Sequence, residues 1–293
     1  MTDRQSHRDD PPDRYAVVGQ PVAHSQSPFI HAEFARQTGQ HLVYTRVECP
    51  SAALAACLQS FVAGAPGDGP ARGCNVTVPL KFEAVELAAR ISPRAALAQA
   101  GNVLMLDQPG WACDNTDGLG LVHDIQSGAG VDLTGRQVLL IGAGGAAAGV
   151  LGPLLEARPN RLMVANRTPE RAQVLARRHQ KLASEQGVDL VSSGLDNLDR
   201  AWDVVINASA SSLHGGQLPL SAAVLKAGTL AVDLMYGPLA RPFMDWARSH
   251  GAHGRDGLGM LVEQAAHAFQ LWRHLRPATA PVLQVLRKRL APN

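Results

Sequence analysis

No run of about eighteen consecutive apolar residues occurs in the 293-residue sequence, so no segment is expected to cross a membrane as a helix. Residues 1–14 are polar, contain Asp9-Asp10-Pro11-Pro12 and lack an apolar stretch. That composition speaks against a secretory signal and for a disordered tail. Cysteine is sparse: Cys49, Cys57, Cys74 and Cys113 form neither a Cys-x-x-Cys pair nor a metal-type spacing. Reduced thiols and a cytoplasmic location are expected. An excess of charge of one sign is almost absent, with 27 lysines and arginines against 25 aspartates and glutamates. The net charge of +2 is too small to argue for nucleic acid or an anionic membrane as partner, although it could help attract a small anion. His-Glu-x-x-His and Gly-x-Ser-x-Gly are both missing, and the eleven histidines form no ligand set, so neither a metal nor a serine nucleophile is expected. What is present, 46% hydrophobic and 18% charged residues, suits a globular enzyme of one large or two smaller domains.

The most informative stretch is Gly142-Ala143-Gly144-Gly145-Ala146-Ala147. It follows the apolar run Val138–Ile141, which reads as a buried strand, and it opens an Ala-rich segment that reads as a helix. Strand, glycine turn and helix start form the phosphate cradle of a dinucleotide-binding unit. Backbone amides at the helix start face an anion, and the glycines let a pyrophosphate approach. About half the chain precedes this motif, so those residues must serve another purpose. The next strand ends at Asn166-Arg167-Thr168, where an NAD-preferring unit carries an acidic residue for the ribose 2′-hydroxyl. Here Asn166 is followed by Arg167, with Arg171 a helical turn further on. Two guanidinium groups without a carboxylate suit the 2′-phosphate of NADP. A solvated basic face at the start of a surface helix is the alternative.

Short apolar runs alternate with helix-like segments along the chain. In the first half, strands are expected over 15–18, 42–47 and 73–77, with a hairpin of 103–106 and 111–113 around Gln108-Pro109-Gly110. Helices are expected over 28–36, capped by Ser27 with Pro28 at its first position, over 51–62, capped by Ser51, and over 82–89. In the second half, strands are expected over 137–141, 161–165, 188–191, 203–206 and 230–234. Gly152-Pro153 should bend or loosen the helix after the glycine loop. The stretch 258–272 reads as one long amphipathic helix. The alternation argues for an α/β class with largely parallel sheets.

Asn75-Val76-Thr77-Val78-Pro79-Leu80-Lys81 places Asn75 and Thr77 on one face of a strand that Pro79 ends. Lys81 then stands at the top of the next helix, beyond the C-terminal end of a strand, where open α/β sheets place ligands. The helix dipole disfavours a lysine there, which supports a special role over a merely solvated one. Asp114-Asn115-Thr116-Asp117-Gly118 reads as a polar turn capping a helix from Leu119. His24-Ser25-Gln26-Ser27-Pro28 reads as an ordinary helix start.

Together these segments resemble the shikimate dehydrogenase family. The matching pieces are Tyr15-Ala-Val-Val-Gly-Gln-Pro-Val-Ala-His-Ser-Gln-Ser-Pro28, Asn75–Lys81, Asp114–Gly118, Ile141–Ala146, Asn166–Thr168 and Asp256-Gly-Leu-Gly-Met-Leu-Val-Glu-Gln-Ala-Ala-His-Ala-Phe269, in family order. The resemblance implies an α/β fold with an N-terminal substrate domain over 15–117 and 258–293 and a Rossmann-type NADP-binding domain over 118–257. The C-terminal helix would return to the substrate domain. It implies reversible, NADPH-dependent reduction of 3-dehydroshikimate to shikimate in aromatic amino-acid (chorismate) biosynthesis, by a monomer or homodimer. It also implies roles. Lys81 would be the acid/base, paired with Asp117. Ser25 and Ser27 would hold the substrate carboxylate, and Thr77, Asn102, Asp117, Tyr236 and Gln264 the ring hydroxyls or carboxylate. Gly142, Ala143, Gly144, Gly145, Ala146, Asn166, Arg167, Thr168, Arg171, Leu234 and Gly257 would hold NADP. The chain departs from the family at Ala148, often an arginine there, at Gly101-Asn102-Val103 in place of Val-Asn-Thr, and at Asn207-Ala-Ser-Ala210 in place of Asn-Ala-Thr-Ser. A paralogue acting also on quinate with NAD is an alternative, which the lack of an acidic residue at Asn166 disfavours. A catalytically silent NADP-binding regulator is another, which Lys81 and Asp117 disfavour.

Overall fold

A computed structural model of the chain describes residues 10–107, 110–209 and 220–291. The chain forms two units, one from the residues up to Thr116 with Ala265–Val282, the other from Asp117–Gln264 with the residues from Leu283 onward. Unit one contains β1 (Asp13–Gly19), α1 (Ser27–Thr38), β2 (Leu42–Glu48), α2 (Leu54–Ala63), β3 (Ala71–Val76), α3 (Lys81–Leu87), β4 (Arg90–Ile91), α4 (Pro93–Ala98), β5 (Val103–Asp107) and β6 (Gly110–Asp114). Its sheet runs β2-β1-β3-β5-β6-β4. The β1–β2 and β1–β3 pairs are parallel, whereas β5 is antiparallel to both β3 and β6. This sheet is therefore mixed, because β5 and β6 form a hairpin rather than a crossover. The hairpin tip expected at Gln108-Pro109 lies outside the described residues.

Several local expectations need correction. Asp13 and Arg14 belong to β1 rather than to a tail. The Arg14 side chain is tied down, donating to the carbonyls of Gly69 at 2.6 Å and Phe61 at 2.8 Å. The N-cap of α1 is Gln26, and Ser27 is the first helical residue. Helix α2 begins at Leu54 with Ala53 as N-cap, so Ser51 caps nothing. It starts late because Ala52 takes a left-handed φ of 62° and donates its N–H to Glu83 instead. The short β4 and α4 carry too few residues for a periodic signal. Ser92 caps α4, accepting from the Ala95 N–H at 3.2 Å.

Four thiols lie in or against one apolar cluster of unit one with Ala16, Val18, Leu54, Leu58, Val76 and Leu104. All four are free. Burial pushes the Cys49 and Cys113 thiols up to about 12, so these sulfurs act as small core side chains rather than nucleophiles.

Unit two contains α5 (Asp117–His123), β7 (Gln137–Ile141), α6 (Gly145–Glu156), β8 (Arg161–Asn166), α7 (Pro169–Gln186), β9 (Asp189–Gly194), β10 (Val204–Asn207), β11 (Leu230–Asp233), α8 (Arg241–Ser249) and β12 (His253–Arg255). Helices α9 (Leu258–Arg273) and α10 (Ala280–Leu290) follow. Five parallel pairings build the order β12-β11-β10-β7-β8-β9. Strand order reverses between β7 and β10, and such a switch point opens a crevice at the C-terminal strand ends. Strands β7, β10 and β11 are almost wholly buried, consistent with their unbroken Val/Leu/Ile/Ala runs. Helix α6 runs unbroken through Pro153, and the Gly149 carbonyl, deprived of its Pro153 partner, lies against Gly118 of α5. Helix α5 begins at Asp117, two residues earlier than the polar-turn reading expects. β12 and α10 were not anticipated from the sequence.

The unit boundaries differ from 15–117 with 258–293 and from 118–257. The division passes through α9 at Gln264 and returns α10 largely to unit two. Packing explains this. A Cβ on Gly120 of α5 would lie 2.6 Å from the Gln264 nitrogen, so the first half of α9 is pressed on α5. Arg287 of α10 donates to Asp256 at 3.2 Å. The second half of α9 turns its aromatics to unit one, where Trp272 Nε1 donates to the Leu104 carbonyl at 3.1 Å.

Candidate active site

In unit one the candidate residues stand at the C-terminal ends of β1 and β3. Strand β3 stops at Val76. Thr77 still donates its N–H to Val18 of β1 at 2.9 Å and accepts from Leu80 through its carbonyl, which makes a tight turn into α3. Lys81 is therefore the first residue of α3, as expected, and its carbonyl receives the Gly101 N–H at 2.8 Å. That bond brings the backbone before β5, with Asn102, alongside the start of α3. Asn102 is buried. Its Nδ2 donates to Thr116 Oγ1 at 3.1 Å, and its Oδ1 accepts from the Thr116 N–H at 2.8 Å. Neighbouring Asp114 is held by a two-pronged Arg94 contact at 2.7 and 2.6 Å and by Ser92. The Asp114–Asp117 segment is thus an anchored turn rather than a loose one. Ser25 and Ser27 lie side by side at the start of α1, Oγ to Oγ 3.1 Å apart. Two hydroxyls beside the first helical turn suit a carboxylate.

In unit two the glycine loop stands between β7 and α6, at the switch point of the sheet. Gly142 has a φ of 116°, and a Cβ there would lie 2.9 Å from the Ala208 carbonyl. Only glycine takes that conformation and fits that space. Gly144 is the N-cap of α6, and a Cβ on it would meet nothing within 4 Å. The space above the helix start is open, and the first amides of α6 have no partner within the helix. A pyrophosphate fits such a cradle. Asn166 ends β8 and folds back, its Nδ2 donating to the Thr168 carbonyl at 2.9 Å. Arg167, Thr168 and Arg171 are exposed at the start of α7, and neither guanidinium joins an ion pair among the described residues. No carboxylate stands at the end of β8. This donor set fits a phosphate on the ribose better than a bare 2′-hydroxyl. Ala148 is buried inside α6, so this position contributes no cation.

Leu234 and Gly257 meet where β11 ends. Leu234 donates its N–H to Asn207 at 3.0 Å, and a Cβ on Gly257 would lie 2.3 Å from the Leu234 carbonyl. Tyr236 follows as the cap of a short helical turn. Gln264 is buried on α9, its Nε2 donating to the Leu261 carbonyl at 2.9 Å. Asp117 opens α5, which lies against α6 and α9 through Gly118 and Gly120. Asp117, Tyr236 and Gln264 thus belong to unit two, and Ser25, Ser27, Thr77, Lys81 and Asn102 to unit one.

Sequence reasoning passed over some polar residues. Asn207 and Asp233 end the adjacent buried strands β10 and β11, and Asn207 Nδ2 donates to Asp233 at 2.8 Å. Asp233 also accepts from Met235 N–H, while Asn207 accepts from Ser209. This fixes the backbone that faces Gly142. The available signal was a polar residue closing two neighbouring apolar runs. A second omission is Tyr44 on β2, whose hydroxyl donates to Asn75 at 2.7 Å. A lone tyrosine in an alternating strand gives no sign of that partner. Among the described residues no cluster could hold a metal ion, and no helix is long and apolar enough to cross a membrane.

Known proteins share this organisation. Residues 17–104 match the family model for the shikimate dehydrogenase substrate binding domain, residues 124–218 that for shikimate / quinate 5-dehydrogenase, and residues 257–287 that for the shikimate 5'-dehydrogenase C-terminal domain. The shikimate dehydrogenase (NADP(+)) of Methylibium petroleiphilum is 59% identical over 276 residues, covering 94% of each chain. An Ael1 enzyme from Pseudomonas putida superposes with a TM-score of 0.83 at 40% identity, over 96% of this chain and 99% of that one. Shikimate 5-dehydrogenase from Thermus thermophilus, crystallised with NADP(H) and shikimate, gives a TM-score of 0.80 at 33% identity, over 95% of this chain and 100% of that one. A lysine-bearing sheet end, a glycine cradle without an acidic strand end, and near full-length likeness to these enzymes converge: the chain belongs to the shikimate dehydrogenase family.

Proposed function

We propose that the protein catalyses the reversible, NADPH-dependent reduction of 3-dehydroshikimate to shikimate, working in the cytoplasm as a monomer or homodimer. The observation that carries this reading is the pairing, within one chain, of an NADP-type cradle with Lys81 at the end of β3. The first unit serves the substrate and the second the cofactor. Gly142, Ala143, Gly144, Gly145 and Ala146 receive the pyrophosphate. Asn166, Arg167, Thr168 and Arg171 receive the adenosine end with its 2′-phosphate, and Leu234 and Gly257 line the nicotinamide end. When bound, NADPH supplies the hydride.

The chain's own groups do the rest. Ser25 and Ser27 hold the carboxylate of the substrate. Thr77, Asn102, Asp117, Tyr236 and Gln264 satisfy its ring hydroxyls, each of which would cost free energy if buried without a partner. Reduction turns the ketone oxygen into a developing alkoxide that needs a proton. Lys81 Nζ donates it and takes it back in the reverse direction, and Asp117 is the carboxylate that favours the charged lysine. The description "shikimate / quinate" of one matching family model keeps quinate as a second substrate to be tested.

The test is NADPH oxidation with 3-dehydroshikimate, repeated with NADH, and NADP+ or NAD+ reduction with shikimate and quinate. Turnover with 3-dehydroshikimate and NADPH is expected. Faster quinate oxidation with NAD+ would overturn the reading, and tight NADPH binding without turnover would make the protein a regulator. Lys81→Ala is expected to lower kcat about 100-fold or more with a smaller change in KM. Near-normal kcat would remove Lys81 from the chemistry.

A further inference from the structure

Three buried polar side chains of unit one have no place in the roles given above: His31, Tyr44 and Asn75 are 1%, 8% and 6% exposed. The Tyr44 ring lies flat on the His31 ring, centroids 4.2 Å apart and planes within 3°. His31 is itself wedged edge-on against Phe34 at 5.9 Å. The phenol ring therefore has one place to be, and its hydroxyl has one location. That hydroxyl donates to Asn75 Oδ1 at 2.7 Å.

From there a path of hydrogen bonds runs on through Asn75. Toward β5, Asn75 Nδ2 donates to the Asn102 carbonyl at 3.1 Å, and Asn102 Nδ2 continues to Thr116 at 3.1 Å. Asn102, on this path, is a group assigned to the substrate. A buried phenol, in turn, is retained only where its hydroxyl is satisfied.

We propose that Tyr44 is a positioning residue: its hydroxyl holds Asn75 and, through Asn75, the backbone of Asn102, so that a small hydroxylated carboxylic acid is met by a preset Asn102. This rests on the dehydroshikimate-reducing function argued above. Tyr44 touches no reacting atom. Its contribution is to remove the freedom that Asn102 would otherwise lose on binding, and in a chain of hydrogen bonds each one strengthens the next.

The test begins with wild-type turnover of 3-dehydroshikimate, whose absence overturns both the function and this role. Tyr44→Phe then removes one oxygen and keeps the stacked ring. Expected is a rise of about tenfold in KM for 3-dehydroshikimate, equivalent to about 1.4 kcal/mol, with kcat within about threefold and KM for NADPH within about twofold. Combined with Asn75→Ala, its effect should fall short of the product of the two single effects, because it passes through Asn75. A dehydroshikimate KM within about twofold of wild type overturns the role of Tyr44 alone, as does a uniform loss across both substrates with lowered melting temperature. Should Tyr44→Phe not fold, Asn75→Ala removes the acceptor of the same hydroxyl, and an unchanged KM there overturns the proposal equally.

Discussion

His179 sits inside α7, fully buried, its Nδ1 at 3.0 Å from the Leu175 carbonyl and its Nε2 without a partner. Burial pushes its imidazole down to about 4, against the hydrogen bond to Leu175, which favours the charged form. In the unfolded chain the same ring titrates near its ordinary 6.5. Below that pH the unfolded state therefore binds a proton that the folded state refuses, and stability falls with pH until the folded ring also titrates. At 1.36 kcal/mol per pH unit, lowering the pH from above 7 to 5 costs about 2 kcal/mol through this one residue. Native carboxylates with lowered values, such as Asp203, act only around and below their ordinary 3.8, so the interval from 5 to 7 belongs to histidine. His179→Leu replaces the ring by an apolar group of similar size and abolishes the titration. Its stability should match wild type within about 1 kcal/mol at pH 8 and exceed it by about 2 kcal/mol more at pH 5. Urea unfolding at pH 8, 7, 6 and 5, followed by circular dichroism, measures the difference. Thermal scans should show a gap opening by about 4–6 °C. Parallel pH profiles for the two proteins would refute the reasoning, since they would mean the imidazole keeps access to protons in the folded state.

Other perturbations give distinct signatures. Arg167→Ala with Arg171→Ala should raise KM for NADPH by about tenfold or more and leave KM for NADH nearly unchanged, because charge-assisted contacts to the 2′-phosphate are lost. Equal effects on both cofactors would move the 2′-phosphate elsewhere. Gly257→Ala forces a methyl to 2.3 Å from the Leu234 carbonyl and should destabilise by about 3 kcal/mol while weakening NADPH affinity, as read by denaturation and cofactor titration. Arg255 makes a two-pronged contact at 2.8 and 2.5 Å with Asp124, which is 2% exposed. Arg255→Met leaves that carboxylate buried and unpaired, and should cost about 3–5 kcal/mol in a denaturation curve. A loss below about 1 kcal/mol would mean that water reaches Asp124.

The Rossmann-like unit was the more legible of the two, for a physical reason. Its strands are buried on both faces, so β7, β10 and β11 appear as continuous apolar runs, and the Gly142 turn can be filled by almost nothing but glycine. In unit one the signals were mixed. β4 has two residues and α4 six, too short to show a period, and α2 starts late because Ala52 adopts a left-handed backbone that its identity does not announce. Ser27 carries the residue type of a cap yet lies one position inside the helix. The candidate site was legible where chemistry demands a rare pattern, as at Thr77 with Lys81 or Arg167 with Arg171. It was illegible where a residue's setting rests on tertiary contact, as with Tyr44 and Asn75, or Asn207 and Asp233, whose partners lie 31 and 26 residues away in sequence. The division of α9 between the two units was illegible for a similar reason: periodicity reports that 258–272 is a helix and is silent on which half packs where.

That split of α9 bears on how the protein is made. Tyr15, His31 and Phe34, near the start of the chain, are covered by Trp272 and Phe269, at ring distances of 4.7 to 6.2 Å, and Arg273 is bound to Asp13 and Tyr15. During synthesis the first unit thus leaves the ribosome with an aromatic face bare, and stays so until the chain has grown past Phe269 and Trp272. The unit that emerges first is the one that closes last. A nascent chain stopped before Phe269 would present that face to solvent and chaperones, and a ribosome-bound truncation series should show unit one becoming protease-resistant only once Trp272 has cleared the exit tunnel.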